Sequence, residues 1–182
     1  QFITKAADPQ ACEHYIGAPA RLPTVAGEPI RPSKLIKGAS AVYGEQNMPG
    51  LYGEILPVEA SRVIVADDGY KLDLGGRELV FMDAPGHARH HYVVWDAQSG
   101  GLFTGDVFGL SYREFDGPNG PYLFPTSTPV QFEPDAWFKT LDRMMALQPR
   151  WVFLTHYGRV GDLQRLAAGL RAGLGVYQEI AR

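Results

Sequence analysis

Two histidines and one aspartate carry the chemistry this sequence can do. The runs Ala84-Pro85-Gly86-His87, Phe103-Thr104-Gly105-Asp106 and Leu154-Thr155-His156-Tyr157-Gly158 each close an apolar, β-branched or aromatic segment with a metal-competent side chain. Imidazole and carboxylate are the donors of transition-metal sites, and donors at three strand tips can meet on one rim of a sheet. Each also has an ordinary role: a histidine after Pro-Gly serves a turn, and an aspartate after Thr-Gly caps or turns the chain. The same pattern three times over favours a shared site.

The elements that must position these residues can be read around them. Residues 1–32 are rich in proline and glycine and read as irregular loop, with His14 and the lone Cys12 as surface or small buried residues. From Ser33, a plausible N-cap, Leu35, Ile36, Ala39, Val42 and Tyr43 recur at helical spacing, and a second short helix is expected over 51–56, ending before Pro57. Short strands are expected over 62–66, 70–74 and 77–83, joined at Asp68-Gly69 and Gly75-Gly76 into an antiparallel meander. A further hairpin, 91–96 with 101–104, turns at Ser99-Gly100. The irregular stretch 107–129, rich in aromatic residues, reads as a pocket wall beside Asp106. A helix over 134–147, a buried strand over 151–154 and a last amphipathic helix over 162–180 complete a sheet covered by helices.

With 182 residues, 45% hydrophobic and 20% charged, the chain is expected to form one domain, 1–182. A net charge of -3 offers no basic stripe for nucleic acid, and no apolar run has the length of a membrane span. The expected partner is a small molecule, and homo-oligomerisation stays open. A single cysteine excludes an internal disulfide and favours a reducing, cytoplasmic setting. No charged segment followed by an apolar one succeeds Gln1, so no signal peptide is expected.

The three runs resemble the C-terminal half of a metallo-β-lactamase-fold hydrolase. They supply its P-G-H turn, T-G-D strand end and final strand-end histidine in order, with a similar intervening helix, over residues 33–182. Ala84-Pro85-Gly86-His87-Ala88-Arg89-His90-His91 followed by Leu102-Phe103-Thr104-Gly105-Asp106 is most similar to single-domain members with a P-G-H-x-x-H-H turn. The resemblance implies an α/β (α+β) fold, a four-layered αβ/βα sandwich whose halves both supply ligands to a dinuclear site, here N-terminally incomplete. It implies that His87 completes one metal's histidine trio, that Asp106 bridges both metals at the catalytic centre, and that His156 serves the second metal. The motif H-x-H-x-D-H, which supplies the other ligands, does not occur in the sequence. The chain as given is therefore expected to hold metal weakly and to be inactive.

The chemistry implied is hydrolysis. Two zinc ions would provide a metal-activated hydroxide for an ester, thioester, lactone or amide carbonyl and a second cation to polarise its oxygen. His90 and His91 are expected to be structural or to orient ligands, because neighbouring strand residues point to opposite faces. Tyr112, Arg113 and Phe124 are the candidate substrate-pocket residues; for Arg113 a solvated surface position is equally open. Iron in an oxygen-binding or redox protein of the same fold, and a non-catalytic binding module, are the alternatives.

Overall fold

The computed structural model describes residues 33–55, 66–89, 91–126, 132–156 and 158–180. The expectations for 1–32, for the strand at 62–65, for His90 and for 127–129 fall outside them. By its contacts the chain divides into two compact units, 1–65 and 66–182.

In the first unit, helix α1 (Ser33–Tyr43) is followed by a 3-10 turn (Glu45–Asn47) and a short helix, α2 (Met48–Tyr52). The second helix was expected over 51–56 and forms earlier. Pro49 at its first turn needs no amide partner and starts it, and Gly53 closes it. The rings of Tyr43 and Tyr52 meet at 6.3 Å.

Among the described residues the second unit holds a six-stranded sheet: β1 (Lys71–Asp73), β2 (Glu78–Asp83), β3 (Tyr92–Asp96), β4 (Gly101–Gly105), β5 (Trp151–Leu154) and β6 (Arg159–Val160). The strands lie side by side in chain order; every neighbouring pair is antiparallel except β4 and β5, which run parallel. Parallel neighbours need a crossover, and the 107–126 loop with helix α3 (Pro134–Ala146) supplies it. Helix α4 (Leu163–Ile180) follows β6.

Alternation along the strands sends Val93, Leu102, Val152 and Val160 to one face, where they join Trp137, Leu141 and Met144 of α3 and Leu166, Leu170 and Leu174 of α4 in one buried core. The three α3 residues recur at helical spacing, as do those of α4, so each helix presents one apolar stripe to the sheet. Phe103 and Phe153, on the other face, stack with ring centroids 4.7 Å apart. Among the described residues no helix is long and apolar enough to cross a membrane.

Asp96 fixes the β3–β4 hairpin. Its buried carboxylate accepts hydrogen bonds from both the Nε and an Nη of Arg77, from the Ser99 hydroxyl at 2.6 Å and from the Gln98 amide at 3.1 Å. The Arg77 hydrogen bond, helped by Ser99 and opposed by burial, holds its pKa down at about 2. A carboxyl depressed below its ordinary value stabilises the fold fully above about pH 4 and loses that contribution as pH falls toward 2. Asp96→Asn is therefore expected to cost about 2 kcal/mol at neutral pH. Urea unfolding across a pH series should show the gap between variant and parent closing between about pH 4 and 2.

Candidate metal centre

Strand direction alone brings the three donors to one end of the sheet. β2 is antiparallel to β3, β3 to β4, and β4 is parallel to β5, so β2, β4 and β5 all run the same way. His87 follows the end of β2, Asp106 the end of β4 and His156 the end of β5. The structure then brings them into register: His87 Nε2 lies 3.8 Å from Asp106 Oδ2, and His156 Nε2 lies 3.7 Å from Asp106 Oδ1.

His87 is fixed by helix α3 and the 107–126 loop. Thr140 donates from its hydroxyl to the Pro85 carbonyl at 2.6 Å, Arg143 to the Asp83 carbonyl at 3.3 Å, and the Glu133 amide to the Gly86 carbonyl at 2.9 Å. Arg143 also grips both oxygens of Asp68, whose Oδ1 accepts the Asp83 amide. Burial would raise the Asp68 carboxyl, but the Arg143 and Asp83 hydrogen bonds outweigh it and hold the pKa below the ordinary value. The indole of Trp137 meets the His87 ring edge-on at 5.6 Å and donates to the Val107 carbonyl at 2.6 Å. The turn before His87 and the loop after Asp106 thus share one fully buried tryptophan.

Asp106 is held through its backbone. Its amide donates to His91 Nε2 at 3.3 Å, and its carbonyl accepts the Gly109 amide at 3.0 Å and the Thr126 hydroxyl at 3.1 Å. His91 can reach only because residue 105 is glycine: a Cβ there would fall 2.6 Å from the imidazole Cε1. His91 is buried just before β3, and the nitrogen it turns toward Asp106 is an acceptor engaged by the backbone. It thereby holds the backbone at the start of the Asp106 loop. His156 sits in the turn between β5 and β6, closed by the Leu154 amide donating to the Gly158 carbonyl at 3.1 Å. Its side chain is 41% exposed, against 9% for His87.

The donor set suits cations. Two ligands at about 2.1 Å from one tetrahedral ion stand roughly 3.4 Å apart, close to both His–Asp separations. Asp106 Oδ1 is buried and accepts no hydrogen bond among the described residues, a costly state for a carboxylate oxygen unless a cation faces it. The three residues form two pairs sharing one carboxylate; among the described residues no three His, Cys, Asp or Glu side chains gather around a single point.

The expected pocket residues lie on a loop that is more ordered than an irregular stretch. Leu110 and Phe124 pair across it through two backbone hydrogen bonds, at 3.0 and 3.2 Å, and Gly117 pairs with Gly120. Tyr112 stacks on Phe124 at 5.5 Å, and Tyr122 on the same ring at 6.4 Å. Arg113 opens a short 3-10 helix (Arg113–Phe115), faces Asp116 at 3.5 Å and donates to the Arg159 carbonyl at 3.3 Å. It therefore ties the aromatic loop to the hairpin that carries His156.

Two contributors escape a reading of the sequence. Thr126, at the far end of the loop, is 5% exposed and touches both the His87 ring and the Asp106 carbonyl. Trp137 reads as a core residue and is one, yet it also packs against His87. Neither has a local signal, because both act across long stretches of chain.

A family model described as the metallo-beta-lactamase superfamily matches residues 12–156. A curated relative, metallo-beta-lactamase fold-containing protein ST1585 of Sulfurisphaera tokodaii, is 32% identical over 128 residues, which are 70% of this chain and 44% of the relative. The crystal structure of ST1585 from Sulfolobus tokodaii superimposes with a TM-score of 0.54 at 30% identity, covering 75% of this chain and 48% of that one. Metallo-beta-lactamase family protein TTHA1429 from Thermus thermophilus shares the fold, with a TM-score of 0.50 at 20% identity over 78% of this chain and 48% of its own. The chain spans about half the length of these relatives.

Proposed function

The chain belongs to the metallo-beta-lactamase superfamily, and from that premise we propose that it is a metal-dependent hydrolase acting on an ester, thioester, lactone or amide carbonyl of a small molecule. The superfamily includes hydrolases and flavo di-iron proteins, and its members bind metals such as zinc or iron. The observation that carries the proposal is Asp106, which turns one carboxylate oxygen to each of two histidines at 3.8 and 3.7 Å. His87, Asp106 and His156 are its metal ligands, zinc its metal and the cytoplasm its setting.

His87, Asp106 and His156 would hold the metal, which when bound would acidify water toward neutral pH and polarise a carbonyl oxygen, the chemistry hydrolysis requires. The chain's own part is positional. His87 is held in the protein interior while Asp106, at 31% exposure, and His156 stand at the solvent edge where water and substrate arrive. Each metal position receives two described side chains, whereas a catalytic zinc takes three protein ligands, so these residues alone hold metal weakly and support little turnover.

The Tyr112–Phe124 stack is the apolar wall of the substrate pocket, and Arg113 sets its distance from the His156 hairpin. Where turnover is measurable, Phe124→Ala should raise KM for substrates with aromatic or long acyl groups about tenfold and leave kcat nearly unchanged, because the ring contributes to binding in ground and transition states alike. Equal kinetics across a panel of esters, thioesters and lactones would make the stack structural packing.

The test is metal analysis of the purified protein with that same panel. Zinc content and hydrolysis that a chelator quenches, both lost in His87→Ala, support the proposal. Iron with its visible absorption and no hydrolysis would favour a redox protein, and no binding and no turnover even with zinc in large excess would favour a binding module.

A further inference from the structure

The Thr126 hydroxyl contacts two groups, and their chemistry determines how its single proton is used. It lies 3.1 Å from the Asp106 carbonyl oxygen and 2.6 Å from His87 Nδ1. A carbonyl oxygen can only accept, so the hydroxyl proton goes to Asp106. The hydroxyl oxygen then accepts from His87, which places a proton on Nδ1 and leaves Nε2 of the neutral ring with its lone pair. That lone pair faces Asp106 Oδ2 at 3.8 Å. Two acceptors facing one another inside a protein repel unless a cation lies between them.

We infer that Thr126 is the positioning residue of the site: it fixes His87 in the Nδ1–H tautomer, with Nε2 presented toward Asp106 as the ligating nitrogen. The inference deepens the metal-hydrolase proposal and rests on His87 being a ligand. Three features make Thr126 suited to this. It is 5% exposed, so water does not compete for its hydroxyl. It joins His87 to the backbone of Asp106, so one side chain sets the spacing between two proposed ligands. Trp137 and His91 pack on the His87 ring, both at 5.6 Å and near perpendicular, while Thr126 supplies a directional contact to Nδ1.

The test combines tautomer and metal affinity in the whole chain, comparing the parent with Thr126→Val, which is nearly isosteric but lacks the hydroxyl, and Thr126→Ser, which keeps it. Imidazole ¹⁵N shifts, assigned with His87→Gln and recorded well above the ordinary histidine pKa of about 6.5, report which nitrogen carries the proton without any metal present. The expected result is Nδ1–H in the parent and in Thr126→Ser, and a mixed or reversed tautomer in Thr126→Val. Zinc titration should show Thr126→Val weakened roughly 10- to 100-fold and Thr126→Ser restored, the size typical for loss of a ligand's outer hydrogen bond. An Nε2–H tautomer in the parent, or an unchanged tautomer and zinc affinity in Thr126→Val, overturns the inference. If no form binds zinc, the metal proposal fails, and the nitrogen shifts still decide whether Thr126 sets the tautomer.

Discussion

Asp106→Asn is expected to remove metal binding while leaving the fold intact or slightly more stable. The carboxylate is the one group common to both His–Asp pairs, so its loss leaves each proposed metal position a single described histidine. Disturbing an outer partner of a ligand costs roughly 10- to 100-fold in affinity, and losing a shared charged ligand should exceed that. Any hydrolysis should fall about a thousandfold or more, equivalent to about 4 kcal/mol of transition-state stabilisation. Stability moves the other way because, among the described residues, Oδ1 is buried without a hydrogen bond and both histidine Nε2 atoms lie beyond hydrogen-bond distance of the carboxylate. A carboxylate left in that state is a local cost, and a neutral amide relieves it. Asp96 makes the contrast: it is also buried, but Arg77 and Ser99 hold it, so Asp96→Asn lowers stability and leaves metal binding alone. Zinc titration with thermal unfolding of both variants checks this, and a large loss of stability in Asp106→Asn would make Asp106 a structural residue.

The scaffold of the site was legible where the sequence carries period and punctuation together. The strand at 151–154 appears with those bounds, and α3 ends one residue before the expected 147, because Pro134 and Pro149 frame the helix and Trp137, Leu141 and Met144 mark its buried face. The convergence of His87, Asp106 and His156 was legible for the same reason: each follows a recognisable strand, and three strands running one way must end together.

What stayed hidden has no local pattern. β6 is two residues, Arg159 and Val160, too short for any alternation to show, so the hairpin that presents His156 read as a strand end with a glycine beyond. Thr126 lies 39 residues from His87, in a proline- and threonine-rich stretch where a hydroxyl usually serves a turn. The sharing of Asp106 between two histidines, one to each oxygen, was implied by the family resemblance alone, because side-chain packing is not expressed in spacing. The loop ladder between Leu110 and Phe124 was missed because a single bridged pair looks like coil in sequence.

Gly86→Ala is expected to destabilise the protein by more than about 4 kcal/mol, the range reached only by a few mechanisms. Two of them act together here. Gly86 has φ 129°, a conformation that L residues with a side chain rarely adopt. A Cβ would also fall 2.4 Å from both Cα and Cβ of Trp137. That neighbour cannot give way cheaply: Trp137 is fully buried, its indole is bonded to Val107, and shifting its backbone drags Leu141 and Met144 out of the core. Gly75→Ala is the control, since its φ is 63° but a Cβ there meets nothing within 4 Å. It should cost only about 1–2 kcal/mol, the penalty of the backbone conformation alone. Against a total stability of about 5–15 kcal/mol, the first change approaches global unfolding and the second does not. Denaturant midpoints of the two variants separate these outcomes, and similar midpoints would mean that the turn can move away from α3. Where Gly86→Ala still folds in the cold, His87 is the next residue along, so the displacement that relieves the clash also moves its imidazole away from Asp106 and weakens zinc binding with it.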